Sequence, residues 1–191
     1  MLCVAFSPLV GLAQVYHAGE NSAKVVPTKH WEISAGWIHS NQRVQDNAAI
    51  AVLNNTQGFT VRGLYYPLEW LGVGVEGAWM NRKNFLGDNS YGDTRYGLIS
   101  KWFLTPDTKP AVYVLLGAGA RAQKIKYTNL RQRTKDTWYA QGGLGAEVEI
   151  YGGWFVAAEG LMMYHAKEID AFFEQGKRWE RILAIRGGVR F

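Results

Sequence analysis

The chain has 191 residues, of which 48% are hydrophobic and 19% are charged, and its formal net charge is +5. This length suffices for one domain, and a second domain would have to be small. The absence of any run of about 18 apolar residues excludes a bundle of transmembrane helices. A single cysteine, Cys3, excludes a disulfide framework and a cysteine-based zinc site.

The first 14 residues form a short apolar stretch that ends in small residues. Gly11 and Ala13 have the spacing of a signal-peptidase site, and the length suits the apolar part of an export signal. We expect residues 1–14 to be a signal peptide, with cleavage as late as residue 18, that removes Cys3. A short periplasmic segment, 15–29, would follow. The alternative is that the stretch forms the first buried element of the domain.

From residue 30 onward, apolar and polar residues alternate with a period of two, which is typical of strands with two different faces. The segments are about 8 to 14 residues long, and a tilted membrane-spanning strand needs about 9 to 11. Eight segments are predicted as strands, at 30–40, 59–66, 71–80, 94–104, 111–122, 137–150, 154–164 and 179–191.

The connections between these segments alternate between long and short. Long ones cover 41–58, 81–93, 123–136 and 165–178, and short ones cover 67–70, 105–110 and 151–153. Barrels of the outer membrane have this arrangement, with short periplasmic turns and longer outer loops. Within the first long connection, residues 48–53 are apolar. They could extend the barrel as a hairpin or pack on a partner, and we favour the hairpin.

One phase of the alternation is apolar and the other is charged. Tryptophans mark the apolar phase near segment ends, where an indole ring suits the headgroup level of a membrane: Trp31, Trp37, Trp79, Trp102, Trp138, Trp154 and Trp179. The polar phase collects six acidic and six basic residues: Glu32, Glu76, Glu147, Glu149, Glu159, Glu180, Arg62, Arg95, Lys101, Arg121, Arg186 and Arg190. A soluble core rich in tryptophan is the alternative, but such a core has no reason to place tryptophan at strand ends.

These patterns predict an all-β fold, an eight-stranded antiparallel up-and-down transmembrane β-barrel with short periplasmic turns and long outer loops. A sheet that crosses hydrocarbon must be closed, because every backbone polar group needs a partner. The interior of eight strands is just wide enough for side chains to fill it. We therefore expect the polar-phase charges to pair inside the barrel, which disfavours a narrow channel.

The sequence resembles the OmpA-type family of eight-stranded outer-membrane β-barrels, over residues 29–191. Three segments carry the resemblance: the Gly-Ala repeat at 117–120, the glycine-rich segment 142–147, and the ending 185–191. The resemblance implies a barrel-only member, integral to the outer membrane with both termini in the periplasm. It also implies that Ile185, Val189 and the terminal Phe191 are recognised by the barrel-assembly machinery.

The third long connection is rich in basic residues, which outnumber the acidic Asp136. They are Lys124, Lys126, Arg131, Arg133 and Lys135. Such a loop could contact the phosphates of lipopolysaccharide or a polyanion on another cell, or it could be a solvated loop without a specific partner. Nucleic acid is not an expected partner of an exported barrel.

Some barrels of this kind are lipid A deacylases or acyltransferases, and the deacylases resemble a pattern of His and Ser two positions apart on one strand. Here His39 and Ser40 are adjacent and must face opposite sides. His165, Glu168 and Asp170 form only a weak constellation for a metal ion, with no serine nearby. We expect a structural and surface-interaction role, with no enzyme activity, cofactor or metal. In a lipid A-modifying enzyme, His39, Ser40 and His165 would be the residues to test.

Overall fold

A computed structural model describes residues 29–46, 49–85, 89–126, 132–165 and 179–191. They form eight strands: β1 (Trp31–Asp46), β2 (Ala49–Leu68), β3 (Leu71–Phe85), β4 (Asn89–Phe103), β5 (Ala111–Lys126), β6 (Gln132–Tyr151), β7 (Trp154–His165) and β8 (Trp179–Arg190). The strands make one closed barrel in chain order, and every neighbouring pair is antiparallel. The predicted all-β, eight-stranded antiparallel up-and-down barrel is confirmed.

The seam between β1 and β8 closes the barrel. Pairing runs from Glu32 opposite Arg190 to Asn41 opposite Arg181. At its end, the backbone N–H groups of Trp31 and Phe191 each donate to the other residue's carbonyl oxygen at 3.0 Å. A path across the paired residues, at right angles to the strands, leaves β1 at Trp31 and returns to β1 at Asn41.

Three short connections lie at one end of the barrel, which we call the turn end. They join Leu68 to Leu71, Phe103 to Ala111 and Tyr151 to Trp154. In the last of these, Gly152 and Gly153 have φ values of 58° and 95°. A two-residue hairpin turn with positive φ at both positions matches the right-handed twist of its strands, and glycine adopts it without a steric cost.

The opposite end, which we call the loop end, carries hairpins that project beyond the wall. Strands β1 and β2 remain paired up to Asp46 opposite Ala49, after a register irregularity between Ser40 and Gln42. Residues 49–53 of the apolar stretch therefore lie in the paired part of a hairpin, as we favoured, and residue 48 lies outside the described residues. The long connections were predicted to begin too early, because the strands continue beyond the wall. A strand beyond the wall has the same surroundings on both faces, so its sequence does not alternate with a period of two.

The wall itself has an apolar outer face and a mixed inner face. In β7 the inward residues are buried, among them Phe155 and Met163, while the outward Val156 and Met162 are exposed. Among the described residues, no helix is long and apolar enough to cross a membrane.

Candidate functional site

The middle of the barrel interior is filled by two ion-paired arginines and two glutamates, which we call the middle cluster: Arg62, Glu76, Glu159 and Arg186. Arg62 lies 2.7 Å from an oxygen of each glutamate, and Arg186 reaches the same two carboxylates at 2.6 and 2.8 Å. Four strands contribute these side chains, so the cluster ties opposite walls together. The Tyr113 hydroxyl donates a further hydrogen bond to Glu159 at 3.0 Å.

A second group, the turn-end cluster, consists of Glu32, Lys101, Glu147 and Arg190. The Lys101 ammonium lies 2.5 Å from Glu147 and 3.1 Å from Glu32, and Arg190 pairs with both acids. Aromatic rings surround the two cations. The Lys101 nitrogen is 4.4 Å from the ring centre of Tyr113, and further rings come from Tyr66, Phe103 and Phe155.

A third group, the loop-end cluster, consists of Asp93, Arg95, Arg121 and Glu180. Asp93 lies 2.8 Å from Arg95 and 2.7 Å from Arg121, and Glu180 lies 2.5 and 3.1 Å from the same two guanidinium groups. The Ser40 hydroxyl donates to Glu180. All four charged residues are at most 3% exposed, and each acid contacts both bases.

Each cluster therefore contains two acids and two bases and is neutral. Burying a lone charge costs several kcal/mol, so charges inside a barrel must be matched in this way. Tyrosine and aliphatic side chains fill the space between the clusters, including Leu64, Ile99 and Leu115. A cavity of about 150 Å³ lies at the turn end, next to Glu147 and Arg190.

Two acids differ from the predicted network. Glu149 follows the inward phase of β6 but is exposed at the turn end, where Lys29 lies 3.3 Å away and the Gly153 N–H donates to it. It does not reach the turn-end cluster because it lies beyond the packed interior. Asp93, which the sequence placed in a long connection, belongs to the loop-end cluster because β4 begins earlier, at Asn89.

The predicted tryptophans all lie on the outer face, and each is more than a third exposed. Trp31, Trp102 and Trp154 are near the turn end. Toward the loop end, Tyr164 links Trp138 and Trp179, with ring centres 6.0 and 5.1 Å apart. We call this aromatic cluster the upper girdle.

The basic connection is largely strand. Lys124 and Lys126 are exposed residues of β5. Arg133 and Lys135 belong to β6 and pair with Ile125 and Gln123, while Arg131 lies outside the described residues.

The structure separates the residues considered for catalysis. Ser40 is fully buried inside the barrel, and the His39 ring stacks on Trp37 outside it, with ring centres 5.6 Å apart. His165 ends β7, while Glu168 and Asp170 lie outside the described residues. No group of three metal-ligating side chains occurs in the part of the chain that the structure describes.

The end of the chain lies on the seam. Ile185 and Val189 follow the outward phase of β8, and the Phe191 side chain is exposed beside Trp31. The predicted signal peptide and periplasmic segment fall on residues 1–28, outside the described residues.

No protein-family model matches the sequence, and no curated protein matches it. Solved structures do share the fold. The crystal structure of Ail, the attachment invasion locus protein of Yersinia pestis, aligns with a TM-score of 0.57 and 18% identity, covering 85% of this chain and 99% of that one. The Neisserial surface protein A (NspA) aligns with a TM-score of 0.58 and 14% identity, covering 84% and 97%.

A second structure of Ail, in complex with the heparin analogue sucrose octasulfate, aligns with a TM-score of 0.52 and 17% identity, covering 85% of this chain and 98% of that one. Ail and NspA are eight-stranded outer-membrane β-barrels. The chain therefore has the fold of the small outer-membrane barrels, and the narrower resemblance to the OmpA type stays a prediction.

Proposed function

We propose that the protein is an integral outer-membrane barrel with a structural and surface-interaction role and without an open wide pore. One observation carries the proposal: the outer wall is apolar between two levels of tryptophan, while the interior is filled by three neutral clusters. Exposed leucine, valine and isoleucine side chains on every strand would be unfavourable in water. They suit hydrocarbon, and the tryptophans suit the two headgroup levels.

The same proposal gives the barrel an orientation. Short turns and both termini would face the periplasm, and the projecting hairpins would face outward. The terminal Phe191, with Val189 and Ile185, would be recognised by the barrel-assembly machinery during insertion. Residues 1–14 would be removed on export.

The interior clusters predict that the purified protein does not conduct ions steadily. Arginine and glutamate side chains that bridge opposite walls occupy the axis, and moving them would separate buried charges. The test is the conductance of the full chain in a planar lipid bilayer, where we expect no stable single-channel step. A reproducible step, seen at the same size in independent preparations, would overturn this part of the proposal.

The outer hairpins supply the proposed contact with lipopolysaccharide. We call the connection between β5 and β6, with its five basic residues, the basic hairpin. Lys124 and Lys126 are exposed on its β5 side, and Arg131, Arg133 and Lys135 add positive charge. A barrel of the same fold, Ail, forms a complex with a sulfated sugar, which supports a polyanion as a ligand for the basic hairpin.

Charge reversal of the basic hairpin tests this contact. Replacing all five cations with Glu should lower co-purified lipopolysaccharide by about tenfold, because each exposed ion pair contributes ~0.3 kcal/mol. Lys109→Glu reverses one charge at the turn end, away from these five residues, and should leave the amount unchanged. Equal lipopolysaccharide in the wild type and the five-residue variant would contradict the proposed contact.

A further inference from the structure

The outer wall formed by β7, β8 and β1 carries an exposed arginine, Arg181. Its chain neighbours Glu180 and Ile182 are each 1% exposed and point into the barrel. Arg181 therefore points outward, as the alternation of a strand requires. Its paired residues are Asn41 on β1 and Met162 on β7.

Arg181 lies at the level of the upper girdle. The next outward pair toward the loop end is Tyr164 opposite Trp179, whose rings are 5.1 Å apart. Toward the turn end, the outward Leu183 is 60% exposed and belongs to the apolar band. The guanidinium group therefore stands where the apolar band meets the headgroup region.

The described wall offers Arg181 no carboxylate. Among the outward side chains of β7, β8 and β1 that the structure describes, His39 is the other polar one besides Arg181, and the rest are apolar, aromatic or glycine; the side chain of Asn41 lies outside that set. None of the side chains that the structure describes forms an ion pair or a hydrogen bond with Arg181. Arg181 differs in this from the arginines of the interior. Each of the four arginines in the middle and loop-end clusters contacts two carboxylates.

At the level of the girdle a cation on the outer wall costs at most about 1 kcal/mol, and an anion from outside the protein would offset that cost. Guanidinium groups bind phosphate through two parallel hydrogen bonds. Membrane lipids carry phosphate at the headgroup level, which is the depth that the girdle marks.

We propose that Arg181 binds the phosphate group of a membrane lipid on the outer wall of β7, β8 and β1. His39 is the second polar residue of the site. It pairs with Leu183, which places it diagonally next to Arg181 on the same face, and its Nδ1 atom is buried without a hydrogen-bond partner among the described residues. The proposal rests on the membrane location proposed above. The site is separate from the basic hairpin, because Lys124 lies beyond the upper girdle toward the loop end.

The test is native mass spectrometry of the full chain in detergent, with three probe lipids added in turn. Two carry phosphate, bisphosphorylated lipid A and phosphatidylglycerol, and diacylglycerol carries none. Arg181→Leu should lower the occupancy of a phosphorylated lipid by about tenfold, which is ~1.4 kcal/mol, and should leave diacylglycerol unchanged. Arg181→Lys keeps the charge but loses the second parallel hydrogen bond, so its binding should lie between that of the wild type and that of Arg181→Leu.

Two further variants control for a general loss of charge and for misfolding. Lys109→Leu removes one positive charge at the turn end and should bind all three lipids as the wild type does. Arg181→Gln is measured beside Arg181→Leu so that the result does not depend on one variant folding. If Arg181→Leu and Arg181→Gln lose binding of lipid A alone, the site exists and its ligand is lipid A. If they lose binding of both phosphorylated lipids, the site exists and accepts either phosphate.

Unchanged binding of both phosphorylated lipids by Arg181→Leu and Arg181→Gln, or an equal loss of diacylglycerol binding, would overturn the site. A wrong proposal of the membrane location would give a different result, because the wild type would then bind none of the three lipids.

Discussion

Arg62 shows how a buried charge is kept in the barrel interior. Its guanidinium group donates hydrogen bonds to Glu76 and Glu159, with two contacts to each carboxylate. Only 1% of the residue is exposed, so water does not replace a lost partner. Removing one member of such a group leaves uncompensated charge behind and is far more costly than removing an exposed charge.

Arg62→Met should therefore destabilise the barrel by about 3–5 kcal/mol. Arg186 would remain as the only base of the middle cluster facing two glutamates. Urea unfolding of the purified protein in detergent micelles measures the change in the free energy of unfolding.

Two further variants define the cause. Lys109→Met removes an exposed charge and should change the free energy of unfolding by less than ~0.5 kcal/mol. Adding Glu159→Gln to Arg62→Met should restore part of the lost stability, because it removes the one excess negative charge that Arg186 does not balance. If Arg62→Met were as stable as the wild type, the ion pairs would not hold the interior together.

The sequence predicts which residues face inward but not which ones meet. Alternation assigns Arg62 and Glu159 to the same face, because the two sides of the wall have different surroundings. Their contact joins residues 97 positions apart and depends on how the strands stagger around the barrel. At the rims the alternation misleads, since Glu149 keeps the inward phase after the interior has ended, and Asp93 precedes the predicted start of its strand.

At the scale of the strand, glycines on the inner wall make room for tyrosine rings. A Cβ atom on Gly145 would lie 2.3 Å from the ring of Tyr113. Tyr113 pairs with Gly145 across β5 and β6, and its hydroxyl reaches Glu159 in the middle cluster. The missing side chain on one strand is therefore what lets the neighbouring ring reach the interior charges.

Gly145→Ala should destabilise the barrel by about 1–3 kcal/mol, because the Tyr113 ring would have to move. Gly160 provides the control, since a Cβ atom there would lie no closer than 4.0 Å to any atom outside its chain neighbours. Gly160→Ala should leave stability unchanged or raise it by up to ~1 kcal/mol through the unfolded chain. Urea midpoints of both variants, measured side by side, check the prediction, and equal losses would contradict it.

Strand boundaries at the two ends were predictable to different degrees. At the turn end, glycine and proline mark the connections, and the predicted short turns agree with the observed ones to within two residues. At the loop end the strands continue into hairpins whose two faces have the same surroundings. Without that difference a sequence shows no period, so residues 41–46 and 49–58 were assigned to a connection although they are strand.

The eight strands that the structure describes form a ring without a free edge, and this closure determines how detergent can unfold the protein. Unfolding must break one complete interstrand ladder, such as the β1–β8 seam, before the others can open. We expect unheated protein to migrate differently from heated protein on a denaturing gel. A variant with the seam interrupted, Ile185→Pro, should lose the unheated band, whereas Ile150→Ala, on the outer face of β6 near the turn end, should keep it. Identical mobility of heated and unheated wild type would count against the closed ring.

The path that leaves β1 at Trp31 and returns at Asn41 sets the dimensions of the lumen. A stagger of ten residues around eight strands tilts the strands by about 40° and fixes the cross-section. The wall cannot widen to admit a larger inward side chain, so a change of volume at one inward position requires an opposite change at a neighbour. The hairpins beyond the ring are not subject to this constraint. Their sequences can therefore diversify while the side chains that fill the lumen stay the same.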